Sequence, residues 1–175
     1  MPADVIVAGD AGNGVVVRLA DYGSAVDAKA LVYLLNAYAS DPAGGGEPLS
    51  DFAQSNLVSE MAKRPQCFSV LAWDGDQPVG LVNCIEGFST FACMPLVNVH
   101  DVAVLSNYRG KGVGGRLLLE AEQHARARGA CKLTLEVLSG NLSARRLYEK
   151  LGFADYQLDP TMGTACFMQK WLKAL

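Results

Sequence analysis

The 175-residue chain lacks any excess of basic side chains. It has 15 Lys and Arg residues against 18 Asp and Glu residues, a net charge of −3 and a pI of about 5.3. A protein that is drawn to nucleic acid or to an anionic membrane by its overall charge needs a positive surface, so neither partner is expected. Any phosphate group must therefore be bound by a local site.

Long apolar runs are also missing, although 50% of the residues are hydrophobic. A membrane-spanning helix needs about 20 consecutive apolar residues, and the longest runs here are far shorter. The first ten residues, MPADVIVAGD, place an acidic residue where a secretory signal peptide has Lys or Arg. The sequence therefore predicts a soluble, cytoplasmic protein.

Metal-binding and disulfide patterns are absent from the sequence as well. The five cysteines show no CxxC spacing and no histidine at a metal-ligand interval. An odd number of cysteines scattered through apolar runs predicts reduced, buried thiols and no metal. The length suits a single domain spanning residues 1–175.

What the chain does contain is an interleaving of strand-like and helix-like segments. Strands are predicted at 13–20, 67–74, 77–88, 96–104, 131–138, 153–158 and 164–172, and helices at 24–39, 49–63, 111–128 and 141–152. Gly75 and Asp76 predict a hairpin between the second and third strands. The helix at 111–128 joins two strands in the manner of a parallel crossover.

A glycine-rich turn, RGKGVGG at 109–115, precedes that helix. It matches GxGxxG, and Glu136 lies about twenty residues further on, as in dinucleotide-binding folds. That interpretation is disfavoured because only the last third of the chain follows the turn. A P-loop is excluded because Lys111 is followed by Gly112 rather than Ser or Thr. Adjacent glycines at a helix start favour a phosphate, and a turn without ligand is the alternative.

Two blocks carry a resemblance to a known family. RGKGVG at 109–114 resembles the R/Q-x-x-G-x-G/A signature of the GNAT superfamily of acyl-CoA-dependent N-acyltransferases. NLSARRLYEKLGF at 141–153 resembles the other motif of that superfamily, at the expected distance downstream. The resemblance implies an α/β fold of the α+β type. Its sheet is mixed and mostly antiparallel, with six or seven strands, a splayed parallel pair at its centre and about four flanking helices.

The resemblance also implies where acetyl-CoA, as co-substrate, is bound. The turn at 109–115 would hold the pyrophosphate, and the strand at 102–104 would offer backbone groups to the pantetheine arm. The cofactor residues implied in this way are Val102, Ala103, Val104, Arg109, Gly110, Lys111, Gly112, Val113, Gly114, Gly115, Asn141 and Arg145.

Acetyl transfer to an amine requires a proton for the departing thiolate and a neutral attacking amine. Tyr148 is the candidate acid, because a phenol with a pKa of about 10 is protonated at neutral pH. Its alternative role is that of a core aromatic. Glu136, within the apolar run LTLEVL, is the candidate base acting through water, as implied by the matching carboxylate in some relatives that modify ribosomal proteins. Its alternative role is an ion pair with Arg145 or Arg146.

His100 is a second candidate base, since an unperturbed histidine titrates near neutrality, and its alternative role is that of a hydrogen-bonded structural histidine. It shares a strand face with Asn98, and the two-residue period places Asp101 on the opposite face as a weaker candidate. Glu86, Phe88, Asn98 and His100 are the tentative substrate contacts.

The sequence thus predicts an N-acetyltransferase that acts on a primary amine, of a small molecule or of a protein, by direct attack in a ternary complex. A non-catalytic acyl-CoA-binding sensor or scaffold is the alternative, and a dinucleotide-dependent oxidoreductase is a distant third. The segment at 164–172, as an edge strand, predicts a homodimer.

Overall fold

The computed structural model describes residues 14–172, which form a five-stranded sheet and four α-helices. The strands are β1 (Val15–Leu19), β2 (Cys67–Asp74), β3 (Gln77–Ser89), β4 (Met94–Val104) and β5 (Leu133–Leu135). The helices are α1 (Ala25–Ala39), α2 (Asp51–Ala62), α3 (Val113–Ala127) and α4 (Leu142–Lys150), with short 3-10 helices at Pro42–Gly44, Ser106–Tyr108 and Pro160–Met162. Two compact units, Met1–Leu135 and Glu136–Leu175, divide the chain. The whole sheet lies in the first unit.

The strands follow one another across the sheet in chain order. β1 to β4 are antiparallel neighbours, and β4 pairs with β5 in parallel. The predicted hairpin around Gly75 and the predicted parallel crossover through α3 are both confirmed. So is the mixed, mostly antiparallel class with four helices.

The number of strands differs from the prediction. Within residues 14–172 no strand forms at 153–158 or at 164–172, and the strand predicted at 131–138 is reduced to three residues. The parallel pair therefore lies at one edge of the described sheet rather than at its centre. The sequence TACFMQKWL lacks a clean two-residue alternation, and within residues 14–172 it pairs with no strand, so its backbone lacks the partner that a strand needs.

Helices cover both faces of the sheet. α1 and α2 pack on one face, where the core contains Ala30, Leu31, Leu34, Val58, Leu71, Trp73, Leu81 and Ala103. α3 packs on the other face through Val113, Leu117, Leu118, Ala121 and Ala125. It approaches β3 closely because Gly80 has no side chain: a Cβ there would lie 3.0 Å from Leu117 Cδ1.

A β-bulge in β4 changes which side chains share a face. The partners across β3 and β4 run Asn83↔Asp101, Cys84↔Val99 and Ile85↔Asn98, which leaves His100 as an extra residue. Directly opposite residues in a sheet share a face, and Asn83 and Ile85 lie two apart on one strand. Asn98 and Asp101 therefore lie on the same face. The prediction that they lie on opposite faces is wrong, because one inserted residue inverts the alternation.

An ion pair between a buried carboxylate and a half-exposed guanidinium attaches α1 to the sheet. Asp27, only 1% exposed, accepts hydrogen bonds from both terminal nitrogens of Arg18 on β1 at 2.7 Å and from the backbone N–H of Asp21 at 2.8 Å. The hydrogen bond from Arg18 holds the pKa of the Asp27 carboxyl below its ordinary value. Since a buried charge must be paired, this contact determines how α1 sits on β1.

We predict that Asp27→Asn lowers the free energy of unfolding at pH 7 by about 1.5–3 kcal/mol, the range for hydrogen bonds to charged groups. Because folding depresses this pKa, the stabilisation is complete above the unfolded pKa of about 3.9 and is lost as the pH falls below it. Urea unfolding at pH 7 and at pH 3 should therefore show the gap between wild type and variant narrowing in acid. A gap that is the same at both pH values would contradict this role.

Candidate active site

The glycine turn combines left-handed backbone with open space. Gly110 has φ 74° and Gly112, the residue before α3, has φ 79°. A Cβ at either position would meet nothing within 4 Å. The first N–H groups of a helix have no partner within it, and here they lie directly after this open turn. Such a turn suits an anion approaching the backbone, and the positive end of the α3 macrodipole favours one.

Two cations flank the turn. Arg109, which is exposed, donates from Nε to the Val104 carbonyl at 2.9 Å and from a terminal nitrogen to Asp41 at 2.8 Å. Lys111 Nζ lies 5.3 Å from the centre of the Tyr108 ring. Arg109 thus links the end of β4 to the segment after α1, while its exposed guanidinium can still turn towards an anion.

The predicted cofactor residues of β4 and α3 contribute mainly backbone. Val102–Val104 pair with β3 on one side, whereas the parallel register with β5 ends at Val99↔Leu135. β4 therefore continues five residues beyond its last described parallel pair. This is consistent with the prediction that the two parallel strands separate at this end. The Val113 side chain is buried in the core, so only its main chain can face a ligand. Gly114 and Gly115 complete the first turn of α3.

Glu136 lies in a different setting from the one predicted. It is the first residue after β5 rather than part of a strand, and it is exposed. The desolvation cost that made this charge conspicuous within LTLEVL therefore does not arise. Arg145, one of its two predicted ion-pair partners, donates to Asp155 at 3.2 Å and lies 3.8 Å from Glu149.

The second motif forms a capped helix in the second unit. Asn141 Oδ1 accepts a hydrogen bond from the Ala144 N–H at 3.2 Å and so caps α4. Tyr148 is 8% exposed, and its ring packs edge-on against Phe153 with centroids 5.9 Å apart. The phenol is therefore held in one orientation by packing.

The tentative substrate contacts separate into two groups. His100 Nδ1 lies 3.4 Å from Asn98 Oδ1, and Asn98 donates to Thr134 of β5 at 3.2 Å, so these residues lie where β4 and β5 pair. Glu86 instead pairs with Arg128 at 2.9 Å, just beyond the last residue of α3. Gly112 lies at the opposite end of that helix, whose 15 residues span about 22 Å at ~1.5 Å each. Glu86 is therefore separated from the glycine turn by the length of α3. Phe88 is exposed on β3, two residues after Glu86.

Asp101, predicted as a weaker candidate than His100, lies at the end of a chain of hydrogen bonds through the core. Tyr22, Ser69 and Asn83 connect to its carboxylate on the face covered by α1. The signal in the sequence was the pair of polar residues, Ser69 and Asn83, inside otherwise apolar strands.

The thiols also differ from the prediction. Cys84 is buried, which raises its thiol pKa to about 12, but Cys93, Cys131 and Cys166 are exposed. Across residues 14–172 no group of three or more His, Cys, Asp or Glu side chains is arranged to hold a metal ion. The same part of the chain contains no helix long and apolar enough to cross a membrane.

A model of the Acetyltransferase (GNAT) family matches residues 31–153. The chain belongs to this family. Over 81 residues this GNAT protein is 40% identical to mycothiol acetyltransferase of Corynebacterium glutamicum, a match covering 46% of the chain and 26% of that protein. It is 41% identical over 71 residues to streptothricin acetyltransferase of Streptomyces lavendulae, covering 39% and 38%. The chain thus spans less than half of either relative.

Solved structures share the fold. One described as a probable acetyltransferase has a TM-score of 0.75 at 19% identity, covering 90% of this chain and 99% of the other. An aminoglycoside acetyltransferase from an uncultured soil metagenomic sample has a TM-score of 0.74 at 15% identity, covering 91% and 97%. The mostly antiparallel sheet also argues against the dinucleotide alternative, whose fold is mostly parallel.

Proposed function

We propose that this GNAT protein is a cytoplasmic, acetyl-CoA-dependent N-acetyltransferase acting on a primary amine. The observation that carries the proposal is the open glycine turn at the start of α3, beside a β4 strand that outruns its parallel partner. The turn suits a pyrophosphate, and the splay leaves room for an extended arm to lie along the strand backbone.

Acetyl-CoA supplies the activated acetyl group, and the residues of this chain hold and orient it. In the proposal, N–H groups of residues 112–115 and the side chains of Arg109 and Lys111 bind the pyrophosphate. Backbone groups of Val102–Val104 bind the pantetheine arm. Asn141 and Arg145, which belong to the second motif, are also cofactor-binding residues in the proposal.

Proton transfers complete the proposed reaction. Tyr148 would donate its phenolic proton to the sulfur as the thiolate departs, and it is suited to this because a phenol is fully protonated at neutral pH. Glu136, being exposed, would remove the amine proton through water, and His100 is the second candidate. The amine attacks the acetyl carbon directly, so no cysteine is acylated.

Calorimetric titration with acetyl-CoA, followed by measurement of free thiol release with a panel of amines, tests the proposal. Saturable binding with amine-dependent release is expected. Binding without release on any amine would instead indicate a sensor or scaffold. A protein that does not bind acetyl-CoA would refute both.

We predict that Gly112→Ala weakens acetyl-CoA binding at least tenfold, because its Cβ would occupy the open turn. Gly129, which follows α3, is the matched control: it has φ 76° and equally open space. Both substitutions should cost about 1–2 kcal/mol of stability from left-handed strain. Only Gly112→Ala should change the calorimetric affinity, and equal affinities in the two variants would argue against this site.

Tyr148→Phe should lower kcat on the order of a hundredfold while acetyl-CoA affinity stays nearly constant. The ring that packs against Phe153 is retained, so the fold should persist. Tyr156→Phe, in the same unit but exposed, is the control and should keep full turnover. Full turnover in Tyr148→Phe, with chemistry rate-limiting, would reduce Tyr148 to a packing residue.

We further propose that the protein is a homodimer whose interface includes the segment at 156–172. This segment exposes seven large apolar side chains, namely Tyr156, Leu158, Met162, Phe167, Met168, Trp171 and Leu172. Clustered exposure of this kind is typical of a surface that a partner covers. Light scattering at micromolar concentration should give a dimer, and Phe167→Asp with Trp171→Asp should give a monomer. A monomeric wild type would refute the proposal.

A further inference from the structure

A hydrogen-bonded chain crosses the sheet on the face covered by α1. The Tyr22 hydroxyl lies 2.9 Å from Ser69 Oγ, and Ser69 Oγ donates to Asn83 Oδ1 at 2.6 Å. Asn83 Nδ2 in turn donates to Asp101 Oδ2 at 2.9 Å. Ser69 and Asn83 are 1% and 5% exposed, so their polar atoms depend on these contacts.

The donors in this chain all point towards Asp101. A serine hydroxyl has one proton, which Ser69 gives to Asn83, so the hydrogen between Tyr22 and Ser69 must come from the phenol. Burial raises the pKa of Tyr22 to about 12, which keeps that proton in place. Because Asn83 Oδ1 accepts from Ser69, the Nδ2 group of the same amide is oriented towards the Asp101 carboxylate and donates to it. The chain fixes the position of this carboxylate.

Asp101 has no ion-pair partner within residues 14–172. The other inward carboxylate on this face, Asp27, has Arg18 in bidentate contact. A carboxylate that is half-buried favours a cation beside it. Asp27 is thus paired by the chain itself, whereas for Asp101 the residues 14–172 supply no cation.

The position of Asp101 fits the proposed reaction. It lies two residues beyond Val99, the last residue of β4 with a parallel partner, and the bulge at His100 turns it to the face of Asn98. α3, which follows the glycine turn, packs on the other face. The amine would thus reach the splay from the face that α1 covers.

We propose that Asp101, positioned by Tyr22, Ser69 and Asn83, is the group that receives the alkylammonium of the acceptor and makes this site specific for cationic amines. This inference rests on the proposed acetyltransferase function and deepens it. Burial and then the charges of Asp101 and Asp41 raise the pKa of the Tyr38 phenol, which agrees with a negative potential on this face. Arg109 pairs with Asp41 at 2.8 Å, whereas no ion pair with Asp101 forms within residues 14–172.

The test titrates amines into protein saturated with CoA and measures heats of binding. Phenethylamine, a cation at neutral pH, is compared with its isomer para-ethylaniline, which is neutral there; spermidine and lysine amide extend the cationic set. We expect Asp101→Asn to weaken binding of the cationic amines by roughly ten- to a hundredfold and to leave para-ethylaniline and CoA unaffected. Glu122→Gln, an equal loss of charge on α3, should change nothing.

Asn83→Ala tests the positioning role, and it should raise the amine KM more than it lowers kcat, with acetyl-CoA affinity retained. A wild type that binds no cationic amine, or equal affinities in wild type and Asp101→Asn, would overturn the inference. Amine binding that depends on Asp101 without any acetyl transfer would keep the inference and refute the proposed function. Acetyl transfer to cationic amines that is unchanged in Asp101→Asn would support the proposed function and overturn the inference.

Discussion

The single extra residue in β4 is the constraint on which the candidate site depends. Without the bulge at His100, strict alternation would place Asp101 on the α3 face, away from Asn98 and from the polar chain that begins at Tyr22. A bulge also increases local twist and bends the strand that contains it. The described parallel pairing of β4 with β5 stops at Val99, immediately before this residue. One irregularity is thus associated with both the orientation of the carboxylate and the opening beside it.

Groups that suit opposite charges lie at separate places along β4. The glycine turn just beyond β4 combines left-handed glycines, a helix start and two basic side chains, which is a setting for an anion. Asp101, within β4, accepts a hydrogen bond from Asn83 and forms a setting for a cation. In the proposed reaction, the first setting would hold the anionic carrier and the second the cationic amine.

The features that could be predicted from the sequence are those encoded locally. Gly110 and Gly112 identify the turn without tertiary information, and Val113, Leu117, Ala121 and Ala125 give α3 its buried stripe. The bulge does have a signal in the sequence: the valines of VNVHDVAV fall at 97 and 99 and then at 102 and 104, so the apolar alternation shifts by one residue between them, and the pairing with β3 places the extra residue at His100. The segment 164–172 could not be judged in this way, because strand formation also depends on a pairing partner, which the local pattern does not encode.

The polar chain in the core needs an explanation that stability does not provide. A buried serine and asparagine gain little net free energy from their hydrogen bonds, and apolar residues of similar shape at both positions can be nearly neutral. Asp27 is paired with Arg18 within the chain, so this carboxylate needs no ligand and its role is structural. Ser69 instead donates to Asn83, and Asn83 donates to the carboxylate of Asp101, which has no ion-pair partner among residues 14–172. This chain of hydrogen bonds ends at a carboxylate, and it has a function if a ligand binds there. Because Asp101 is negatively charged, that ligand would be a cation.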